Sequence, residues 1–392
     1  MKKVNLDLVI VGGGVMGLFT AYSASLAGAR NILVIEKYKI GNSRRSSNDP
    51  KAASFSFTRS IRNDYLDPFY SRLAYESRKL WLEFEGESRE KFLINSGCLN
   101  IARKDVTPNL EKSYAIQSFR SLNSINFKTK RMSKSVLKLQ YPQFDADLGC
   151  LDVEAGFLYL PQITKTLLQV LNKNRVQILE ETKILTIKQI KGDIEINTNV
   201  GKLKSKKLVI TAGLWSNEVL KLIQGCNIQF PVKPDKPQQC RYYIPPLYKR
   251  DSFVQVRLPV FAYLDVGIYG HPIFEGKTPG VKIGFYNPPD IPKKDTKIKN
   301  ISDFVRICMP SLLDAKVREV VDADQCFYDM VSDKQFIIGK LPGFPNISVG
   351  CGWNGTGYKF APIVGKILAQ ISLQNDTLFD IRRFSPGRFS VK

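Results

Sequence analysis

The amino-acid sequence predicts an α/β protein in which one strand-and-helix sheet is interrupted by a β-rich insertion, and three stretches carry that expectation. The first is Leu6 to Glu36, LDLVIVGGGVMGLFTAYSASLAGARNILVIE, where an apolar run, a glycine turn, a helix and a second apolar run follow in order. The second is the return of the same alternation after residue 160, ending on the small residues of Leu208 to Gly213. The third is composition: residues 230 to 300 are rich in Pro, Tyr, Phe and short strand-like runs, unlike the first third of the chain.

Leu8 to Val11 reads as a buried parallel strand. Gly12, Gly14 and Gly17 then form G-x-G-x-x-G, which permits a tight turn, close backbone approach to a pyrophosphate, and close packing of the next helix on the sheet. Val15 and Met16 open that helix, whose first amides and positive dipole end favour phosphate. Leu33 to Ile35 make the second strand, and Glu36 at its end can accept hydrogen bonds from a ribose. Together these predict a Rossmann-like dinucleotide-binding domain.

Further along, the polar segment Lys37 to Ser56, with Asp49-Pro50, reads as a long loop. Leu73, Leu80, Trp81 and Phe84 have helical spacing over Phe69 to Phe84. Leu99 to Ile101 reads as a strand, followed by polar helical material to about residue 138. Ile163 to Leu171 is an amphipathic helix, and Val176 to Leu179, Ile184 to Ile187 and Ile194 to Ile196 are strands. Phe336 to Ile338 and Ile347 to Val349 are short strands, and Pro362 begins a helix reaching Leu373. The expected division assigns 1–85, 150–228 and 325–392 to the nucleotide-binding domain, and 86–149 and 229–324 to a substrate domain.

Composition narrows the function classes. At 43% hydrophobic and 24% charged residues the chain reads as an ordinary globular protein. It lacks the run of roughly 18 apolar residues that a membrane span needs, so no membrane partner is expected. The N-terminal lysines lead at once into a strand, unlike a signal peptide. Seven scattered cysteines without a C-x-x-C pair point to a reducing, cytoplasmic setting. A single histidine, His271, gives a metal cluster or a Ser/His/Asp triad little material, so no metal is expected and His271 itself is placed at the surface or behind the site. The net charge of +22 attracts anions, yet the lysines are spread, with Lys202, Lys204, Lys206 and Lys207 the densest run and Lys293, Lys294, Lys297 and Lys299 in a polar loop. A solvated basic surface is the favoured reading, and a nucleic-acid partner the less favoured one.

Six elements in order resemble a known family, the amino-acid and amine oxidases of the D-amino-acid oxidase superfamily, and within it the monomeric sarcosine oxidase group. They are the fingerprint with Glu36; Thr58-Arg59-Ser60-Ile61-Arg62, similar to the family's T-R-x-x-R; Thr211-Ala212-Gly213-Leu214-Trp215; Lys282-Ile283-Gly284-Phe285; Cys326-Phe327-Tyr328 with Phe336-Ile337-Ile338; and Gly352-Trp353-Asn354-Gly355-Thr356-Gly357-Tyr358-Lys359-Phe360.

The resemblance implies an FAD-binding domain with an inserted mixed β-sheet catalytic domain. It implies FAD held covalently by a thioether through Cys326, with Gly12, Gly14, Val15, Met16, Gly17, Glu36, Lys37, Arg59, Ile184, Gly213, Trp215, Gly355, Gly357 and Lys359 as the other cofactor contacts. Amides of the Gly355 to Phe360 loop and the dipole of the following helix would stabilise reduced flavin. Arg62 and Lys359 would bind a substrate carboxylate, for which the planar arginine fork is well suited. Lys282, in an apolar strand between Val281 and Ile283, would stabilise the anion formed when O2 takes an electron.

Departures bear on the substrate. Where the group has histidines, three residues before the T-R element and four after the lysine, this chain has Phe55 and Tyr286, and neither is expected to be replaced by an imidazole nearby. Sarcosine is thereby less favoured, and Trp353 offers an aromatic wall for a larger or cyclic secondary amine such as pipecolate. The expected reaction is hydride transfer to flavin from the C–H bond beside the nitrogen of a secondary or N-methyl amino acid, with O2 reduced to H2O2, in a monomeric enzyme. The alternatives are an amine dehydrogenase passing electrons to a quinone or protein, and a tRNA-modifying FAD oxidoreductase or RNA-binding flavoprotein.

Overall fold

Continuous apolar composition at Leu8 to Val11 suits a strand covered on both faces, and that is where the chain places it. In the computed structural model, which describes residues 5–41, 52–190, 192–235, 239–286, 296–319, 326–374 and 376–389, the strand Asn5–Val11 runs parallel to Ile32–Ile35 on one side and Gly201–Ile210 on the other. Gln177–Leu179 extends this parallel sheet beyond Ile32–Ile35, and Phe344–Cys351 extends it beyond Gly201–Ile210. Ile337–Leu341 closes one edge antiparallel, and the hairpin Ile184–Ile190 with Asp193–Thr198 pairs with the start of Gly201–Ile210. Helices Val15–Leu26 and Ala361–Leu373 pack so closely that a Cβ on Gly365 would lie 2.5 Å from the Phe19 backbone.

The chain forms two units: 1–55, 161–236 and 326–392 in the first, 56–160 and 237–325 in the second. The first contains the parallel sheet. Residues 56–85 and 150–160, expected with the nucleotide domain, lie in the second unit because Thr58–Ile61 pairs with Gly156–Tyr159, which also pairs with Leu93–Ile94.

The second unit is built on a mixed sheet whose order is Lys316–Glu319, Gln239–Ile244, Val281–Phe285, Ile268–His271, Val260–Tyr263, Cys98–Ala102, Leu148–Asp152 and Thr129–Ser133. Alternation sends Phe261, Ile283, Val281 and Tyr243 to an apolar face, where Phe261 stacks on Phe304 at 6.1 Å. The other face presents Tyr242, Lys282, His271, Ala262, Asn100 and Asp152. Helix Pro68–Ser88 is capped by Asp67, whose Oδ1 accepts the Phe69 N–H at 2.9 Å, and it ends at Arg89 in the left-handed region. The polar stretch expected to be helical to residue 138 holds helices Tyr114–Asn123 and Lys134–Gln140, but Thr129–Ser133 between them is a strand. It pairs at the sheet edge with Leu148–Asp152 and buries only Met132 of its five residues, which left little apolar signal to read.

Of the expected Lys37 to Ser56 loop, residues 42–51 lie outside the described residues, as do Lys293 and Lys294. The basic run at Lys202 to Lys207 follows a strand in which Lys204 pairs with Asp193 and Lys206 with Asp7. Among the described residues no helix is long and apolar enough to cross a membrane, and no group of three metal-ligating side chains gathers.

Candidate active site

In the first unit the glycine fingerprint forms a turn with no room for side chains. Gly12 has φ +106°, and a Cβ there would lie 2.6 Å from the Thr211 carbonyl oxygen; one on Gly17 would lie 1.9 Å from the Gly12 carbonyl oxygen. Thr211 Oγ1 donates to the Val11 carbonyl at 3.1 Å, so the Leu208 to Gly213 strand end and the fingerprint are tied together. Glu36 accepts the Gly13 N–H through Oε2 at 2.8 Å and the Tyr38 N–H through Oε1 at 3.0 Å. The helix that starts at Val15 has no acidic residue in its first turn, and the Val15 N–H is capped by Ser54 Oγ at 3.0 Å. A glycine turn without side chains, a helix start without acidic residues and a fixed carboxylate supply the amide donors that a dinucleotide pyrophosphate requires and the acceptor that its ribose requires.

The C-terminal loop meets the same turn. Gly357 lies against Met16 and Trp353, with 2.5 Å between its virtual Cβ and Trp353 Cβ. Trp353 is buried, edge-on to Phe336 at 5.4 Å, and packs beneath this loop. Gly355 has φ +69°, and Gly213, at φ +54° with open space around its Cβ position, opens the turn that carries the half-buried Trp215. Lys359 is buried and its Nζ donates to Thr356 Oγ1 at 2.8 Å. Cys326 is 1% exposed. Three residues on, Asp329 accepts the Gly352 N–H at 2.9 Å, and Asn354 Oδ1 accepts the Val331 N–H at 2.8 Å, so two side chains lock the Cys326 segment to the glycine loop. Burial pushes the Asp329 carboxyl up to about 7 against the lowering effect of these backbone N–H groups. Lys37 is exposed, with Nζ 5.3 Å over the Tyr38 ring, and Ile184 packs at the edge of the sheet core. Neither is placed on the glycine cradle.

In the second unit Lys282 is 1% exposed on the polar sheet face, and its Nζ donates to Ser56 Oγ at 3.0 Å and to the Thr58 carbonyl at 3.4 Å. Directly opposite it in antiparallel register stands His271, also 1% exposed. The expectation that the lone imidazole sits at the surface is corrected, as is the expectation that no imidazole lies near Lys282: His271 is buried in the next strand beside it. Eleven residues of sequence hid that adjacency, which the pairing of Ile268–His271 with Val281–Phe285 creates. His271 Nδ1 lies 2.6 Å from Thr58 Oγ1 and Nε2 lies 2.8 Å from Ser60 Oγ.

Arg62 follows the Thr58–Ile61 strand. Its Nη1 donates to Asp64 Oδ1 at 2.6 Å, to the Asp64 carbonyl at 3.0 Å and to the Tyr114 hydroxyl at 3.4 Å, while the guanidinium lies 4.9 Å from the Tyr65 ring centre. Burial opposes the Arg62 charge, but Asp64 outweighs it and holds the guanidinium pKa well above its ordinary value. Asp64 also accepts from Asn100 Nδ2. Beside it Asp152 accepts the Asn63 N–H at 2.7 Å, and burial followed by the Asp64 charge drives the Asp152 carboxyl far above the usual carboxylate range. Burial likewise pushes Tyr114 up to about 12. Arg59 lies on the opposite side of the strand from Thr58 and Ser60. Tyr286 is half-buried and its N–H donates to the Gly267 carbonyl.

Sequence reading missed Ser56, Thr58 and Ser60 as a polar set, although their period-two spacing was the available signal. It also missed Asp64, Asp152 and Asp329, which nothing in their neighbours marks as buried.

A parallel sheet with a glycine turn, a strand-end carboxylate and a helix start free of acidic residues defines a dinucleotide-binding protein. Residues 7–371 match the model of the FAD dependent oxidoreductases, and the chain belongs to that family. It is 28% identical over 402 residues to peroxisomal sarcosine oxidase of Homo sapiens, covering 98% of this chain and 96% of that protein. It is 25% identical to monomeric sarcosine oxidase of Arthrobacter sp. (strain TE1826), covering 100% and 98%. Its fold is similar to that of L-proline dehydrogenase from P. horikoshii, with TM-score 0.78 at 20% identity, covering 99% and 98%.

Proposed function

We propose that the chain oxidises the C–N bond of a secondary or N-methyl amino acid, sarcosine-like or pipecolate-like, as a monomer that uses O2 as electron acceptor. The observation that carries this reading is Lys282, a buried ammonium fixed by Ser56 and Thr58 on the strand that leads into Arg62. A buried cation in an apolar strand is costly unless it has a task. Two relatives are named as sarcosine oxidases, and sarcosine is an N-methyl amino acid.

FAD, when bound, supplies the two-electron acceptor for the C–H bond beside nitrogen. The protein side chains do the rest. Arg62 holds the substrate carboxylate with its remaining N–H groups, since Nη1 is already committed to Asp64. That grip fixes orientation, which is the main contribution to rate when no protein base is assigned. The amine leaves as an imine, which water hydrolyses, and O2 gains two electrons and two protons to give H2O2. Lys282 stabilises the negative charge that O2 acquires with its first electron. Cys326, locked by Asp329 to the glycine loop, is the proposed thioether attachment, and Lys359 is the proposed second carboxylate contact.

The deciding experiment is anaerobic bleaching of the flavin with sarcosine, N-methyltryptophan, pipecolate and L-proline, followed by peroxide yield in air. Bleaching by one of these with stoichiometric peroxide is expected. Bleaching without peroxide would turn the reading to a dehydrogenase. Acid denaturation should leave the yellow colour on the polypeptide, and Cys326→Ser should release it.

A further inference from the structure

Two side chains on adjacent strands grip the same short ladder. Thr58 and Ser60 share one side of the strand Thr58–Ile61, and Ser56, in the bend before it, donates its hydroxyl to the Thr58 carbonyl at 3.0 Å. Facing them are Lys282 and His271, opposite one another in register. Thr58 is held twice: its carbonyl accepts from Lys282 Nζ, and its hydroxyl bonds His271 Nδ1. His271 Nε2 takes the next rung, Ser60 Oγ. The imidazole face stacks on Phe157 at 6.1 Å and 20°, and Phe157 is itself the strand partner of Ser60.

The consequence is mechanical. A hydrophobic side chain at 271 could fill the space but could bond neither hydroxyl, and the nearly inaccessible Thr58 hydroxyl would have to rotate toward another partner. The carbonyl and Ser56 hydroxyl that aim the ammonium are hydrogen-bonded to each other, so a shift of Thr58 moves both acceptors of Lys282.

We propose that His271 is a positioning residue for the oxidase reaction: by holding Thr58 and Ser60 it fixes the ladder that aims the Lys282 ammonium, and thereby sets the oxygen-dependent half of turnover. This rests on the role given to Lys282 above. Its signature is separation of the two half-reactions. His271→Leu slows reoxidation by O2 on the order of tenfold while anaerobic bleaching by the substrate changes by about twofold or less, in the range expected for side chains that share a partner. His271→Asn, which keeps one hydrogen bond, recovers part of the loss. The double variant with Lys282→Met is no slower than Lys282→Met alone.

The test is stopped-flow measurement of both half-reactions in the wild-type holoenzyme and these variants. It is joined by a readout that needs no turnover, the ring-nitrogen NMR signals of the chain's single histidine. Ser60→Ala should move the Nε2 resonance, and Lys282→Met should move that of Nδ1 through Thr58. Should His271→Leu fail to fold, Thr58→Val and Ser60→Ala loosen the same ladder from its other side. If Lys282→Met leaves reoxidation unchanged, the Lys282 reading fails. If Lys282→Met slows it but His271→Leu does not, or if the two losses multiply in full, the positioning role is overturned. A ring signal indifferent to Lys282→Met overturns it too.

Discussion

Asp329 Oδ2 accepts the Gly352 N–H at 2.9 Å, and with Asn354 it binds the segment after Cys326 to the glycine loop. Burial raises this carboxyl to about 7, so the folded protein keeps a proton that the unfolded chain releases near its ordinary value of about 4. The stabilisation is therefore complete below about pH 4 and is lost as pH rises through 7, by at most about 4 kcal/mol. Melting temperature measured from pH 4 to 8 should fall with pH in the wild-type protein. It should fall less steeply in Asp329→Asn, leaving Asp152, shifted in the same direction, as the remaining source of slope.

Half-buried Arg62 and buried Asp64 form a pair, and the two ways of breaking it should differ. Arg62→Lys keeps a charge beside Asp64 but loses the fork, and should raise KM for the amino acid about tenfold to a hundredfold with less effect on kcat. Asp64→Ala leaves the guanidinium without its counter-ion and should destabilise the fold by about 3 kcal/mol or more. Steady-state kinetics and chemical denaturation separate the two outcomes.

Gly17 is placed so that a methyl group would meet backbone at 1.9 Å, and backbone cannot swing aside. Gly17→Ala should yield protein with little bound FAD, read from the ratio of flavin to protein absorbance. Gly213→Ala has space for its methyl group but must keep φ +54°, so its effect should be a loss of about 1 kcal/mol with FAD retained.

Glu36 caps the Gly13 N–H within the cradle. Glu36→Ala should weaken FAD retention without altering the order of substrates in the panel, because the side chain belongs to the nucleotide end. Dialysis of the Glu36→Ala, Cys326→Ser double variant against flavin-free buffer, beside Cys326→Ser alone, followed by flavin measurement checks the first part, and the bleaching panel the second.

What the sequence could tell depended on how far apart the cooperating residues lie. The fingerprint was legible because strand, turn, helix and Glu36 are contiguous and each has its own composition. Lys282 could be read as buried from its neighbours Val281 and Ile283. His271 could not, because its surroundings come from a different strand and from the ladder more than two hundred residues earlier in the chain. Trp353 reads equally well as an exposed wall or a packed ring; contact with Phe336 and the Gly357 backbone makes it the latter's floor. Thr129–Ser133 failed for a different reason, since an edge strand with one buried residue has almost no hydrophobic period to detect.

The sheet that carries the glycine turn takes its central strand from the first residues of the chain and the neighbour Phe344–Cys351 from near its end, and helix Val15–Leu26 finds its partner in Ala361–Leu373. During synthesis the apolar face of that first helix must wait through more than three hundred residues of translation before its cover emerges from the ribosome. Until Phe344–Cys351 and the glycine loop after it have emerged, the strand Gly201–Ile210 lacks that sheet neighbour and the fingerprint turn lacks its contact with Gly357.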